Sequence, residues 1–237
     1  MLGGLALRGI QPDAITFADT GGELPETYAY IPILSFWLEV VGFPPLTIVK
    51  NHSPRAHDAS LYDEMLRKSV LPSISYGRHS CAEKWKIRPQ ERWRKSWPLA
   101  QEAWAAGRKV VVAIGYDDGP GDSRRMCKAF SKETLKPSSK YRYWYPLQDW
   151  GWDRSQCVEM ITSQMKLPVR VKSSCFFCAA RKKSEIEALR QSHPALFEAA
   201  LEMERRALPK LRTVKGLGRR FAWQDLSDPS QPEEKVA

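Results

Sequence analysis

Four cysteines carry the most specific chemical spacing in the chain. Cys175-Phe-Phe-Cys178 is a C-x-x-C knuckle, and Cys157 and Cys81 lie upstream of it. Two thiolates from a tight knuckle and two from elsewhere can ligate Zn2+ or a [4Fe–4S] cluster. Lys172, Arg181, Lys182 and Lys183 flank the knuckle, and cations there lower thiol pKa values and partly offset the charge of four thiolates. Buried structural cysteines beside a coincidental C-x-x-C have the same look. Cys127, in Arg124-Arg-Met-Cys127, reads as the odd one out, a helix-face residue.

A second group is Phe17-Ala-Asp-Thr-Gly21, followed by Glu23-Leu-Pro-Glu-Thr-Tyr28. An Asp-Thr-Gly turn after a buried strand sets a carboxylate, a hydroxyl and a flexible backbone at one edge, and the following helix N-terminus can hold an anion. An ordinary capped strand-to-helix turn explains the same residues. The third group is Gly77-Arg-His-Ser-Cys-Ala-Glu-Lys-Trp-Lys-Ile-Arg-Pro89, where Arg78, Lys84, Lys86 and Arg88 interleave with Trp85, Trp93 and Trp97. Cations near aromatic rings can clamp a phosphate and stack a base; a solvated basic helix with a tryptophan core face fits equally. Arg124 and Arg125 follow Gly115-Tyr-Asp117 and are better placed to meet a phosphate. The sequence holds no Ser-His-Asp order, no H-E-x-x-H, no intact Walker loop and no G-x-G-x-x-G.

The elements that must position these residues follow from apolar periodicity. Leu2–Leu7 reads as a helix ended by Gly9, and Asp13–Ala18 as a short buried strand ending at Asp19. Pro25 and Glu26 open a helix that stops before Gly42, with Pro32 implying a kink or a late start. Leu46-Thr-Ile-Val49 is the next strand, so strand, helix and strand form a βαβ unit with parallel strands. Further on, Trp97–Ala106 is helical, and Lys109–Ile114 is the clearest buried strand. Gly115 and Asp117 follow at its carboxyl end, where open α/β sheets bind ligands. Asp153–Lys166 reads as a helix, and Ser184–Leu208 as a long one broken at Pro194.

Composition sets the frame. The 237 residues are 43% hydrophobic and 27% charged, which excludes a disordered or collagen-like chain. No apolar run approaches the roughly 18–20 residues of a membrane span, and five cysteines suit a reduced, cytoplasmic protein. The net charge of +10 is concentrated, with +6 in residues 76–110 and +6 in residues 181–220. Concentrated cations suggest contact with a polyanion, either nucleotide phosphates or a DNA or RNA backbone.

Taken in order, these motifs resemble the phosphoadenosine phosphosulfate (PAPS) reductase-like branch of the PP-loop, adenine nucleotide alpha-hydrolase-like superfamily, in its phage or mobile-element type. The series runs from Pro12–Gly21 and Pro25-Glu-Thr-Tyr28 through Cys81–Pro89, Ile114–Asp117 and Arg124-Arg125. Tyr145-Pro-Leu147, Trp150–Asp153, Lys172–Cys178 and Gly216–Trp223 complete it. The resemblance implies a Rossmann-like α/β fold, a parallel sheet with helices on both faces, plus a C-terminal cysteine-containing helical region. Residues 1–150 would form the nucleotide-binding core, 151–224 the cysteine region and 225–237 a flexible tail. ATP or another adenine nucleotide would lie beside Asp19, Thr20, Gly21, Gly115 and Asp117, with Lys84, Lys86, Arg124 and Arg125 facing phosphates. Cys81, Cys157, Cys175 and Cys178 fall where related proteins hold a cluster or metal. The implied chemistry is attack at the α-phosphate with release of pyrophosphate, serving sulfur transfer to a nucleic acid or nucleotide, with a sulfur or electron donor protein as partner.

Two departures qualify the expectation. The family's Ser-Gly-Gly-x-Asp-Ser loop is absent, and Gly3-Gly4, with no following Asp-Ser, does not replace it. The expectation is therefore a late start or a divergent, non-catalytic copy that binds nucleotide or nucleic acid, with an unpaired strand edge and exposed apolar surface. The final segment, Gly216–Ala237, contains no cysteine, which argues against the third reading, a sulfonucleotide reductase.

Overall fold

The computed structural model describes residues 1–51, 58–135, 137–169 and 173–226, the side chains of 130 and 132–135 excepted. Lys172 and all but the first two residues of the expected tail lie outside them. The chain is mixed α/β and 55% helical. In order, the elements are α1 (Leu2–Leu7), β1 (Ile15–Asp19), α2 (Pro25–Val40), β2 (Leu46–Lys50), α3 (Leu61–Lys68) and α4 (Ser80–Ala82). After a π-turn over Glu83–Ile87 come α5 (Arg88–Ser96), α6 (Pro98–Ala105), β3 (Val110–Ala113), α7 (Pro120–Leu135), β4 (Tyr141–Trp144) and α8 (Pro146–Asp149). Then follow α9 (Arg154–Glu159), α10 (Lys183–Ser192) and α11 (Pro194–Ala207).

The strands form two small parallel pairs, β1 with β2 and β3 with β4. Each pair is joined by a helix, α2 or α7, as parallel neighbours require. The expected βαβ unit is present, and α7 with β4 completes a second one that the periodicity did not reveal. Among the described residues no wider parallel sheet is seen: each strand has four or five residues and one partner. Lys109–Ile114 is accordingly not a buried strand. In β3, Val110 pairs with Tyr141 and Ala113 with Trp144, yet Val111 is exposed. With one neighbour and no covering layer over that residue, its side chain meets solvent.

The chain divides into two compact units, each assembled from separated segments: Met1–Ile15, Ala29–Thr47 and Arg92–Val171 in the first, and Thr16–Tyr28, Ile48–Glu91 and Lys172–Ala237 in the second. The first unit has a small core of Leu5, Ile15, Trp37, Leu38 and Phe43. Gly3 and Gly4 are glycines because α1 presses on Met160, Met165 and Trp150, leaving no room for a Cβ. Helix α2 continues through Pro32, which has no N–H to donate, and ends where Gly42 donates to the Glu39 carbonyl at 3.0 Å. Its outer face stays apolar and open, with Phe36 68% and Val40 67% exposed. The expected helix after Asp153 is α9, capped by Asp153 through the Ser155 and Gln156 N–H groups, and it continues directly as a π-turn over Met160–Gln164.

The second unit holds the larger core, built on Trp85, Phe176, Phe177, Ile186, Leu189, Leu201, Met203, Leu217 and Trp223. In α11, buried Phe197, Ala200, Leu201, Glu204 and Ala207 recur at helical spacing, so Glu204 occupies a core position. It is fully buried. Its carboxylate accepts the backbone N–H groups of Leu217 (2.6 Å), Trp223 (2.9 Å) and Gln224 (3.0 Å). Those donors belong to an irregular segment that could not otherwise satisfy them in the core. Replacing Glu204 with alanine orphans buried donors, each worth about 1–3 kcal/mol. Glu204→Ala should therefore lower the unfolding free energy by about 3 kcal/mol or more in urea titration; a loss within about 0.5 kcal/mol would contradict this role.

Candidate functional site

Strands β1 and β2 end side by side in the second unit, at Asp19 and Lys50. Lys50 Nζ lies 3.3 Å from Asp19 Oδ2. Asp19 Oδ1 accepts the Tyr28 hydroxyl and the Gly21 N–H, both at 2.8 Å. Asp19 is thus buried and held by three donors, while Lys50 remains largely open to solvent. Burial, with the Asp19 hydrogen bond adding to it, raises the Tyr28 pKa well above the usual phenol value.

The turn beyond Asp19 is clamped from two directions. Thr20 gives its carbonyl to the Leu61 N–H at 2.9 Å. Its hydroxyl accepts the Gly22 N–H at 3.3 Å and lies 3.3 Å from Cys175 Sγ. Gly21 turns the chain at φ +68, and a Cβ there would fall 2.6 Å from the Ser60 Cβ, so glycine is required on both counts. From the other side the cysteine knuckle pairs with the turn. The Phe176 N–H donates to the Gly22 carbonyl at 2.8 Å, and Glu23 and Cys175 form an isolated antiparallel bridge.

Two buried carboxylates complete the surroundings. Glu23 Oε1 accepts Lys86 Nζ at 2.8 Å, and Glu23 Oε2 is buried without a hydrogen-bond partner among the described residues. Burial works against the Lys86 ammonium, but the Glu23 carboxylate outweighs it and raises the lysine pKa. Glu64 accepts from Lys68, from Lys84 and from the Trp85 indole N–H, the last at 2.6 Å. Burial favours the neutral acid there; these three donors prevail and hold the carboxyl below its ordinary value. Asp58 is lowered too, chiefly by hydrogen bonds from Arg67 at 2.7 Å, against the opposing effect of burial.

The structure therefore brings Asp19, Thr20, Gly21, Lys84 and Lys86 into one unit, mostly bonded to one another's neighbours. Trp85 serves the core and offers no face for a base. Gly115, Asp117, Arg124 and Arg125 belong to the other unit. There Asp117 Oδ1 accepts the Gly119 N–H at 3.0 Å, Arg124 bonds the Pro120 carbonyl at 3.0 Å, and Arg125 pairs with Asp122 at 2.7 Å. Sequence reading missed Lys50 and Glu64, and quoted Glu23 in its motif without seeing it as the partner of Lys86. Lys50 had a signal, since it ends a strand in a parallel pair; the two glutamates had none, because their partners lie far away in sequence.

The cysteines are all outside disulfides. Cys175, Cys178 and Cys81 border the core of the second unit, whereas Cys157 lies in the first. Among the described residues no three His, Cys, Asp or Glu side chains form a group able to hold a metal. Burial, reinforced by Glu23, pushes the Cys175 thiol up to about 12, so the free thiol is protonated at neutral pH. Three of the four expected ligand cysteines thus share one unit and the fourth lies in the other, and no chemical step is assigned to a cluster or Zn2+. Cys127 is exposed on α7, the helix-face position expected.

Two outcomes follow from these environments. Asp58 and Glu64 have lowered pKa values in the fold, so the stability they contribute is present above the unfolded carboxylate range of about 4 and lost as pH falls through their folded values. Urea midpoints should drop on acidification from about pH 6 to pH 3, and Glu64→Gln should flatten that slope. Alkylation by iodoacetamide at pH 8, mapped by mass spectrometry, should label Cys127 quickly and Cys175 only after unfolding; rapid native labelling of Cys175 would contradict its buried, protonated state. Compared with family models, with curated proteins and with solved structures, the chain matches none.

Proposed function

We propose that the chain binds ATP or another adenine nucleotide at the carboxyl ends of β1 and β2, as a PAPS reductase-like PP-loop protein serving adenylating and sulfur-transfer chemistry on a nucleic acid or nucleotide. In this reading the two parallel pairs belong to a Rossmann-like core. The single observation that carries it is the meeting of Asp19 and Lys50 at the carboxyl edge of a parallel pair, the edge that α/β sheets use for ligands. Lys50 is the exposed cation of that edge and suits a phosphate. The unpartnered Glu23 Oε2 behind the turn suits a donor such as an amino group or a bound water.

The chemistry proposed is an in-line attack on the α-phosphorus by an oxygen of the acceptor. The bond to the bridging oxygen breaks and pyrophosphate leaves; a sulfur nucleophile from a donor protein then displaces AMP. Preorganised cations stabilise the charge that builds on the phosphates. A second reading, a non-catalytic binding protein, is favoured by the internal bonding of Asp19, Thr20, Lys84 and Lys86, which leaves few of their polar atoms for a reacting substrate.

Calorimetric titration with ATP tests the binding. The native chain should bind ATP, and Lys50→Ala should weaken it at least roughly tenfold, the loss of one hydrogen bond to a charged group, without loss of fold. Absence of ATP binding, or an unchanged affinity in the variant, would overturn the site. Pyrophosphate release on adding ATP, magnesium and an oligonucleotide supports catalysis; binding without release supports the second reading.

A further inference from the structure

Four cations of the second unit lie on two turns that the fold ties together, and a fifth opens α10 beside them. Arg78 follows the short helical turn Ser73–Tyr76, Lys215, Arg219 and Arg220 lie between residues 215 and 220, and Lys183 opens α10. Fully buried Ser75 donates its hydroxyl to the Leu217 carbonyl at 3.4 Å. The Arg219 guanidinium lies against Gly77, where a Cβ would fall 2.6 Å from Nη2. Within the second turn, the Lys215 N–H donates to the Arg219 carbonyl at 2.8 Å and the Arg219 N–H to the Gly216 carbonyl at 3.0 Å. Glu204 fixes the base of this turn through Leu217. Lys183 Nζ stands 5.5 Å from the centre of the Phe221 ring.

None of these five cations is paired with a carboxylate among the described residues, although Lys50, Arg67, Lys68, Lys84, Lys86 and Arg88 in the same unit each are. Arg219 moreover holds φ +65, a conformation that strains an L side chain. A strained arginine laid beside Gly77-Arg78, with no anion of its own, is a surface waiting for one. Aromatic rings lie among the charges: Tyr76 is exposed two residues before Arg78, and Phe221 is half-buried under Lys183. Phosphates on cations with bases on rings is how single strands are held. An anionic membrane offers the same negative charge but no bases to stack on the rings.

We propose that the 76–78 and 215–221 turns, with Lys183, form a docking face for single-stranded nucleic acid. The face rests on the reading of a nucleic acid as acceptor but does not depend on ATP turnover, and its residues are distinct from Asp19, Lys50 and Glu23.

Fluorescence anisotropy of the full chain with a labelled oligothymidylate of about 16 nucleotides, between about 50 and 200 mM salt, tests it. Affinity should fall with salt by a slope of about 0.7 per phosphate contact, and Arg78→Gln combined with Arg219→Gly should reduce that slope by about 1.4. Glycine accepts the positive φ at 219, so the variant keeps its fold. Tyr76→Ala should weaken binding roughly tenfold with little change of slope. No binding at low salt, an unchanged slope in the double variant, or binding to phosphatidylserine vesicles in preference to the oligonucleotide would each overturn the proposal. Calorimetry with ATP and anisotropy with the oligonucleotide, on the double variant and on Lys50→Ala, separate the two sites: oligonucleotide binding weakened with ATP binding intact in the double variant marks this face, and the reverse pattern in Lys50→Ala marks the β1–β2 edge.

Discussion

Glu23 enters the core of the second unit as a side chain whose only described partner is Lys86, 63 residues away. That pairing is the constraint on which the site depends. A carboxylate taken out of water needs hydrogen-bond donors, for Glu23 a cation, and removing the partner of a buried pair costs about 3–5 kcal/mol. Lys86 must therefore stay beside the turn that follows β1, and the π-turn carrying it must stay against the core. Lys84, two residues earlier, is bound in the same way to Glu64. The basic segment that looks free in the sequence is anchored at two points.

The same logic fixes the rest of the unit. The knuckle Cys175–Cys178 pairs through backbone with Gly22 and Glu23, and Thr20 reaches the Cys175 sulfur, so three distant segments meet at one turn. Elsewhere in the unit the backbone N–H groups of Leu217, Trp223 and Gln224 do for Glu204 what Lys86 does for Glu23. What these carboxylates leave over is informative. Lys50, though paired with Asp19, is largely exposed at the strand edge, and Arg78, Lys215, Arg219 and Arg220 stand exposed and without a carboxylate on the tied turns. Charge committed inward builds the scaffold, and charge left outward is what can meet a polyanion.

Local features were legible in the sequence. The first βαβ unit, the Pro25 helix start, the break at Pro194 and the helical place of Cys127 all follow from periodicity and proline chemistry. The extent of the sheet was not legible, because apolar runs such as Val110-Val-Val-Ala113 read alike whether one neighbour covers them or two. Lys84, Lys86 and Trp85 were singled out as a cation–aromatic group, but their partners Glu64 and Glu23 are set by tertiary contacts that spacing does not carry. The knuckle was visible as a motif; its pairing with the Asp19–Glu23 turn, and the protonated state that burial gives Cys175, were not.

Hydrogen–deuterium exchange, followed by mass spectrometry with and without ATP, tests the central claim most directly. The account predicts slowed exchange in peptides covering 19–23 and 48–51 when ATP is present, because the nucleotide sits at the ends of β1 and β2. Unchanged exchange there at saturating ATP, or protection confined to peptides of the first unit around 115–125, would contradict it.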